Sequence, residues 1–317
     1  MQTTPFRSRS LALLRASNFS GVQSLVSLAS TSRCSKAEWT KPVHEQVFQG
    51  RVDKAIRVME AIGELEDPAH QLQLLRACAS ALRVLHGLRV CPPRFIEGVV
   101  NRFDEALWDA LRDIVVAGGP HFGEVEFQWA SLPSDRGGLG VARASSLAQT
   151  AFVSSYTSSL ALQDLLLSSD EYVRPPPLSS FTQARDSLQS ALPDVDPAHF
   201  ARPNPTKSWA KPLIDAKVEW IKERSPRARD LLPMTSTAPP GWMLVPPCPQ
   251  RCYRLSKVEL RAIIQFRLGI KMFAEDRCPK CHGAQDCYGD HAVNCGFRPG
   301  FKRPFSSLGS FIAAPQR

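Results

Sequence analysis

The chain has 317 residues, 43% of them apolar and 22% charged, enough to bury a core and to fill two domains or so of about 100–150 residues each. That composition excludes a disordered tail, and no run reaches the roughly 18 uninterrupted apolar residues that a membrane-spanning helix requires. The formal charge of +9 is concentrated at the ends: six Lys/Arg stand against two Glu in residues 1–45, twelve Lys/Arg against five Asp/Glu in residues 251–317, and the rest sums to −2, a distribution that favours a polyanionic partner.

Residues 1–45 read as a basic disordered leader or a transit peptide, because Arg7, Arg9, Arg15, Arg33 and Lys36 accompany many hydroxylated residues and no acid precedes Glu38. Over 46–120 the pattern predicts a bundle of three amphipathic helices. Val52, Ile56, Met59 and Ile62 mark the first, and Leu72, Leu75, Ala79, Leu82 and Leu85 the second, after a break at Glu66-Asp67-Pro68. Pro92 and Pro93 open the third, whose face holds Phe95, Val99, Phe103, Leu107, Leu111 and Ile114 and which Gly118 and Gly119 end.

Residues 121–250 are expected to be a helical, proline-rich linker region. It begins with a turn-rich clasp, Trp129 to Val141, whose glycines at 137, 138 and 140 permit conformations closed to other residues. A small-residue helix from about Ala142 to Leu167 and short patches around Phe181–Leu192 and Lys207–Glu223 follow, separated by proline-rich connectors. Residues 251–296 combine an amphipathic helix, Ser256 to Gly269, with a cysteine cluster, and 297–317 read as a disordered tail. Mainly α is the fold class expected.

The cysteines carry the chemistry. Nine is an odd count, and four of them fall between Cys278 and Cys295, which argues against a disulfide framework and for metal binding in a reducing compartment. Cys278, Cys281, His291 and Cys295 are spaced C-x2-C-x9-H-x3-C. Two thiolates two residues apart bind one ion from a knuckle, and a His with a Cys four positions later completes a closed tetrahedral set, the arrangement of structural zinc. Asp290 is a candidate carboxylate for the outer ring nitrogen of His291, and His282 and Cys287 are substitute ligands. Cys248 and Cys252 lack further ligands nearby. Around the last helix and the cluster, Arg254, Lys257, Arg261, Arg267, Lys271 and Lys280 are the candidate nucleic-acid contacts, with Tyr288 and Phe297 as aromatic faces for stacking.

Five strings, LLRACASALRVLHGLRVCPP (74–93), RFDEALWDAL (102–111), WASLPSDRGGLGV (129–141), SKVELRAIIQFRLGIKMF (256–273) and CPKC with GDHAVNC (278–281 and 289–295), resemble in their order the region downstream of the reverse-transcriptase palm in LINE-type non-LTR retrotransposon proteins. The resemblance spans roughly residues 46–296. It implies a thumb for the bundle, a linker for the middle, and a CCHC zinc knuckle at Cys278, Cys281, His291 and Cys295. It implies no catalysis: the palm and fingers have no counterpart, the sequence contains no Asp-Asp pair to hold two metal ions, and the 22 residues after Cys295 are too few for the endonuclease that follows the knuckle in the family. Pro193-Asp194 with Asp215-Ala216-Lys217 imitates the nuclease motif, but ahead of the knuckle and in a helical stretch.

The function expected is therefore that of a non-catalytic retroelement remnant in the nucleus, binding RNA or DNA weakly through its basic C-terminal part, with zinc as cofactor, no membrane and no small-molecule substrate. The alternative is a host zinc-binding module for protein contacts, in a mitochondrion or plastid if the leader is a targeting peptide. An active polymerase or nuclease is disfavoured because the carboxylates are missing.

Overall fold

The computed structural model describes residues 41–167, 178–192, 205–237, 255–273 and 276–295. From His44 onward these belong to one compact unit, and the fold is mainly α, with one two-stranded sheet among the described residues. Helix α1 (Lys41–Gly63) buries Phe48, Val52, Ala55, Met59 and Ile62, the three- and four-residue spacing of a single apolar face. Asp67 then caps α2 (Pro68–Leu74), its carboxylate accepting from the Ala69 amide at 2.9 Å while Pro68 fills the first helical position.

The second helix does not run on to Leu85 as its periodicity predicts. After α2 the chain makes a wide turn, Leu75–Ala79, then an extended residue at Ser80 and a tight turn, Ala81–Arg83, before α3 (Leu85–Val90) begins. The break serves a long-range contact, the Ala81 amide donating to Ala142 O, while Ser80 Oγ closes locally onto Arg76 O. Helix α3 lies close to α1: a Cβ on Gly87 would fall 2.3 Å from the Phe48 ring.

Helix α4 (Pro93–Val115) is the central element, burying Ile96, Val99, Val100, Phe103, Leu107, Leu111, Ile114 and Val115. The clasp follows α5 (Glu124–Ala130) and closes on itself through Leu139 N to Ala130 O and Gly140 N to Leu132 O, both 2.9 Å. It is core as well as turn, because Trp129, Leu132, Leu139 and Val141 are buried. Helix α6 (Ala144–Leu167) starts where Asp104, buried on α4, accepts from the amides of Ala144 and Ser145 and from the Ser145 hydroxyl, a cap supplied from another helix. Helix α7 (Ser179–Ala191) packs on α6 through Phe152, Val153, Phe181, Ala184 and Leu188. Helices α8 (Pro205–Arg224) and α9 (Pro226–Thr237) follow, and α10 (Lys257–Arg267) opens with a reciprocal cap between Ser256 and Glu259.

One apolar cluster runs from Phe48 to Ile270 and takes in Trp129, Leu139, Ile221, Leu231 and Leu232 as well as Leu260, Ile264 and Leu268. Within the helical, proline-rich region 121–250, α5, the clasp, α8 and α9 close the same core as the first helices and α10. The proline-rich stretches 168–177, 193–204 and 238–254 lie outside the described residues.

Candidate metal centre

Beyond α10 a short hairpin, β1 (Asp276–Arg277) with β2 (Ala284–Gln285), pairs antiparallel with Asp276 opposite Gln285 and Arg277 opposite Ala284. Its connection carries Cys278 and Cys281. Cys278 N donates to Gly283 O at 2.8 Å, His282 N to Cys278 O at 2.9 Å, and Lys280 N points at Cys278 Sγ from 3.4 Å. His282 takes a left-handed conformation (φ 57°) to make this turn. Gly283 then passes the site closely, for a Cβ there would sit 3.4 Å from both Cys281 Sγ and His291 Cε1.

The other two ligands ride on α11 (Asp290–Asn294), a five-residue helix that contains His291 and ends at Cys295. Too short to hold itself, it is fixed by its surroundings. Asp286 accepts from the amides of Tyr288, Asp290 and His291 at 2.9, 3.0 and 2.6 Å. Burial opposes the charge on Asp286, but the amides of His291, Asp290 and Tyr288 outweigh it and hold the carboxyl below its ordinary range.

The four side chains expected as ligands converge. One ligand atom from each of Cys278, Cys281, His291 and Cys295 lies within 4.8 Å of all the others; Cys278 Sγ and Cys295 Sγ are 3.9 Å apart, and Cys281 Sγ and His291 Nε2 3.1 Å. With metal–sulfur bonds of about 2.3 Å and metal–nitrogen bonds of about 2.0–2.1 Å, the edges of a tetrahedron are roughly 3.6–3.8 Å, so the cluster could hold one metal ion with little movement. Burial disfavours a thiolate at Cys278, yet the amides of Cys281 and Lys280 and the His291 ring draw its pKa down to about 6. Cys278 and Cys295 are buried together with Ala262 and Ala292 against Phe266, Met272, Phe273 and Val293. Neither substitute belongs to the cluster: His282 is exposed, and Cys287 instead gives its carbonyl to the amides of Met272 and Phe273 at 2.8 and 3.1 Å.

Asp290 is not free to orient His291 as expected. Its carboxylate is gripped by Arg227 of α9, Nη1 to Oδ2 at 2.7 Å and Nη2 to Oδ1 at 2.6 Å. The same guanidinium lies 5.0 Å from the centre of the Tyr288 ring, so one face of that ring is already occupied and closed to stacking bases.

The candidate nucleic-acid residues divide sharply. Arg267 is buried, with Nη2 donating to Ser134 O at 2.9 Å and to Thr235 O at 3.4 Å, and Nε to Gly138 O at 3.4 Å; burial lowers its pKa. Arg261 Nε donates to Ile114 O, and its neighbour Gln265 to Val115 O, so both satisfy carbonyls that the end of α4 leaves open. Arg267 is thus an internal fastener, whereas Arg261 is half-buried with its Nε committed to the end of α4. Lys257, Lys271 and Lys280 are exposed, Lys257 reaching Glu66 at 3.2 Å, and Arg277 of β1 is a further exposed cation. Arg254, Phe297, Asp194, Cys248 and Cys252 lie outside the described residues. Asp215, on α8, pairs with Arg136 at 3.4 Å, and Lys217 lies between the hydroxyls of Ser131 and Ser146, 3.1 Å from each.

Two residues that position the site, Asp286 and Arg227, escape the spacing argument. Asp286 had a local signal, an Asp two residues before an amide it can accept from in a Gly-containing turn. Arg227, far upstream, had none. Comparisons with family models, with curated proteins and with solved structures found no match to this chain.

Proposed function

We propose that this chain is a non-catalytic nucleic-acid-binding protein derived from a non-LTR retrotransposon reverse transcriptase, organised at its C-terminal end by one structural zinc ion. The observation that carries the reading is the convergence of three thiols and one imidazole, drawn from two separate turns, on one point. Three sulfurs and one nitrogen suit zinc better than magnesium or calcium, which prefer oxygen. Cys278, Cys281, His291 and Cys295 would hold it, and with four protein ligands it would fasten the hairpin to α11 with no position open to substrate.

The nucleic-acid part rests on charge and exposure. Lys271, Arg277 and Lys280 are exposed cations on and beside the zinc turn, within the segment whose formal charge is +7. They would meet the phosphates of RNA or DNA in the nucleus with little sequence preference, because phosphate contacts position without reading bases.

The test is fluorescence anisotropy of the full chain with labelled single- and double-stranded oligonucleotides across a salt series. Binding should weaken steeply with salt, and Lys271→Gln or Lys280→Gln should each lower the log–log slope by about 1 without altering sequence preference. Binding that is insensitive to salt, or unchanged in a triple Lys271, Arg277 and Lys280 variant, would overturn the nucleic-acid reading.

A further inference from the structure

Arg227 lies more than fifty residues upstream of Cys278, yet its guanidinium is seated inside the metal-binding segment. The side chain is only 14% exposed, and it meets Asp290 through two parallel bonds of 2.6 and 2.7 Å. Phe266 of α10 and Tyr288 of the turn flank the guanidinium at 5.6 and 5.0 Å. Gly269, at φ 63°, is shaped to let it pass, since a Cβ there would come within 2.8 Å of Arg227 Cγ and 3.1 Å of the Trp129 ring. A planar fork that lies over two aromatic rings and bonds its partner through both nitrogens fixes the direction as well as the distance of the carboxylate.

That partner is the first residue of α11 and the immediate neighbour of His291. Helix α11 supplies half of the ligand set and has no length of its own to define its axis. The other half, Cys278 and Cys281, is set by the hairpin. The relative placement of the halves therefore depends on what anchors α11 from outside, and Arg227 does so from the helical body.

We infer that Arg227 is a positioning residue of the metal centre, which through Asp290 couples occupancy of the Cys278–Cys281–His291–Cys295 cluster to the packing of α9 against α10. The inference rests on the metal reading above and extends it: metal binding tightens the helical body, and the intact body tightens metal binding, by the same factor. Arg227 contributes no ligand atom. It holds α11 in the orientation that the ion requires.

The experiment uses the full chain, with cobalt(II) as a spectroscopic probe competed by zinc, in wild type, Arg227→Gln, Arg227→Lys, Asp290→Asn and the Arg227→Gln/Asp290→Asn double variant. The expected result is about tenfold weaker binding in Arg227→Gln, the scale typical of residues that orient metal ligands, with the thiolate-to-cobalt charge-transfer and ligand-field bands unchanged because the ligands are unchanged. The double variant should be no weaker than the weaker single one, since both break the same pair, and Arg227→Lys should recover part of the loss. Thermal unfolding with and without metal separates coupling from ordinary destabilisation: metal should raise the midpoint of the helical signal in wild type and raise it much less in Arg227→Gln. Affinities within twofold of wild type, additive losses, or an equal drop in midpoint with and without metal would overturn the inference while leaving the metal centre standing. Wild-type protein that binds no cobalt would overturn both.

Discussion

Replacing Arg267 by Met separates a structural role from a nucleic-acid role at one position. The substitution keeps a long, flexible stem in the buried channel and removes the donors to Ser134 O, Gly138 O and Thr235 O. The bond to Ser134, at 2.9 Å, is the strong one, and a charged donor of that kind contributes about 1.5–3 kcal/mol, whereas the two at 3.4 Å are weaker. Opposing the loss, Met recovers the desolvation that burial imposes on the guanidinium and that already lowers its pKa. The balance is a destabilisation of about 2 kcal/mol, which for a chain of this size lowers the melting temperature by about 3 °C. Far-UV circular dichroism reads this directly, and the salt dependence of oligonucleotide binding should be unchanged below the new midpoint. An Arg267→Met protein that melts with wild type but loses salt-dependent binding would refute the reasoning and return Arg267 to the nucleic-acid surface.

Two glycines should respond oppositely to alanine. At Gly138 a Cβ would lie 2.1 Å from Leu132 O and 2.6 Å from Leu132 C, so the clasp must open, at about 3 kcal/mol or more by chemical denaturation; at Gly98, exposed on α4 with nothing within 4 Å of a Cβ, alanine should stabilise by about 0.5–1 kcal/mol. Lys217 predicts a pH dependence: burial first, and the charge of Arg143 second, depress its pKa from 10.5 to about 8. Between pH 8 and 10.5 the unfolded chain binds more protons at this site than the folded one, so its contribution to stability rises with pH across that window, by about 3 kcal/mol at most. Denaturant titrations at pH 7 and pH 10 should show this rise in wild type and its loss in Lys217→Met, and identical pH dependence in the two proteins would contradict the assignment.

What the sequence made legible was periodic or closely spaced. The face of α4 from Val99 to Ile114 and the start of α2 at Asp67-Pro68 rest on local rules, and so does the ligand set, whose residues span a short stretch of chain. What it hid was long-range. Arg261 and Arg267 look like any exposed basic residues in a one-dimensional pattern, because charge does not reveal that α4 ends in open carbonyls at Ile114 and Val115 or that the clasp turns its own toward α10. The break after Leu74 follows from a bond between Ala81 and Ala142 that no window of the sequence contains. The burial of Leu231 and Leu232 was masked by the short, proline-marked elements around them, whose apolar faces are too brief to stand out. The grip of Arg227 on Asp290 joins residues 63 positions apart.

The central claim, that Cys278, Cys281, His291 and Cys295 organise the C-terminal end around one zinc ion, is tested most directly by the metal content of the purified full chain. Native mass spectrometry together with elemental analysis should give about one zinc per chain in wild type and none in Cys278→Ser or Cys295→Ser, with the helical signal retained in all three because the main core draws on its own apolar faces. A folded wild-type chain that carries no zinc after purification under reducing conditions, and takes up none when zinc is added, would contradict it.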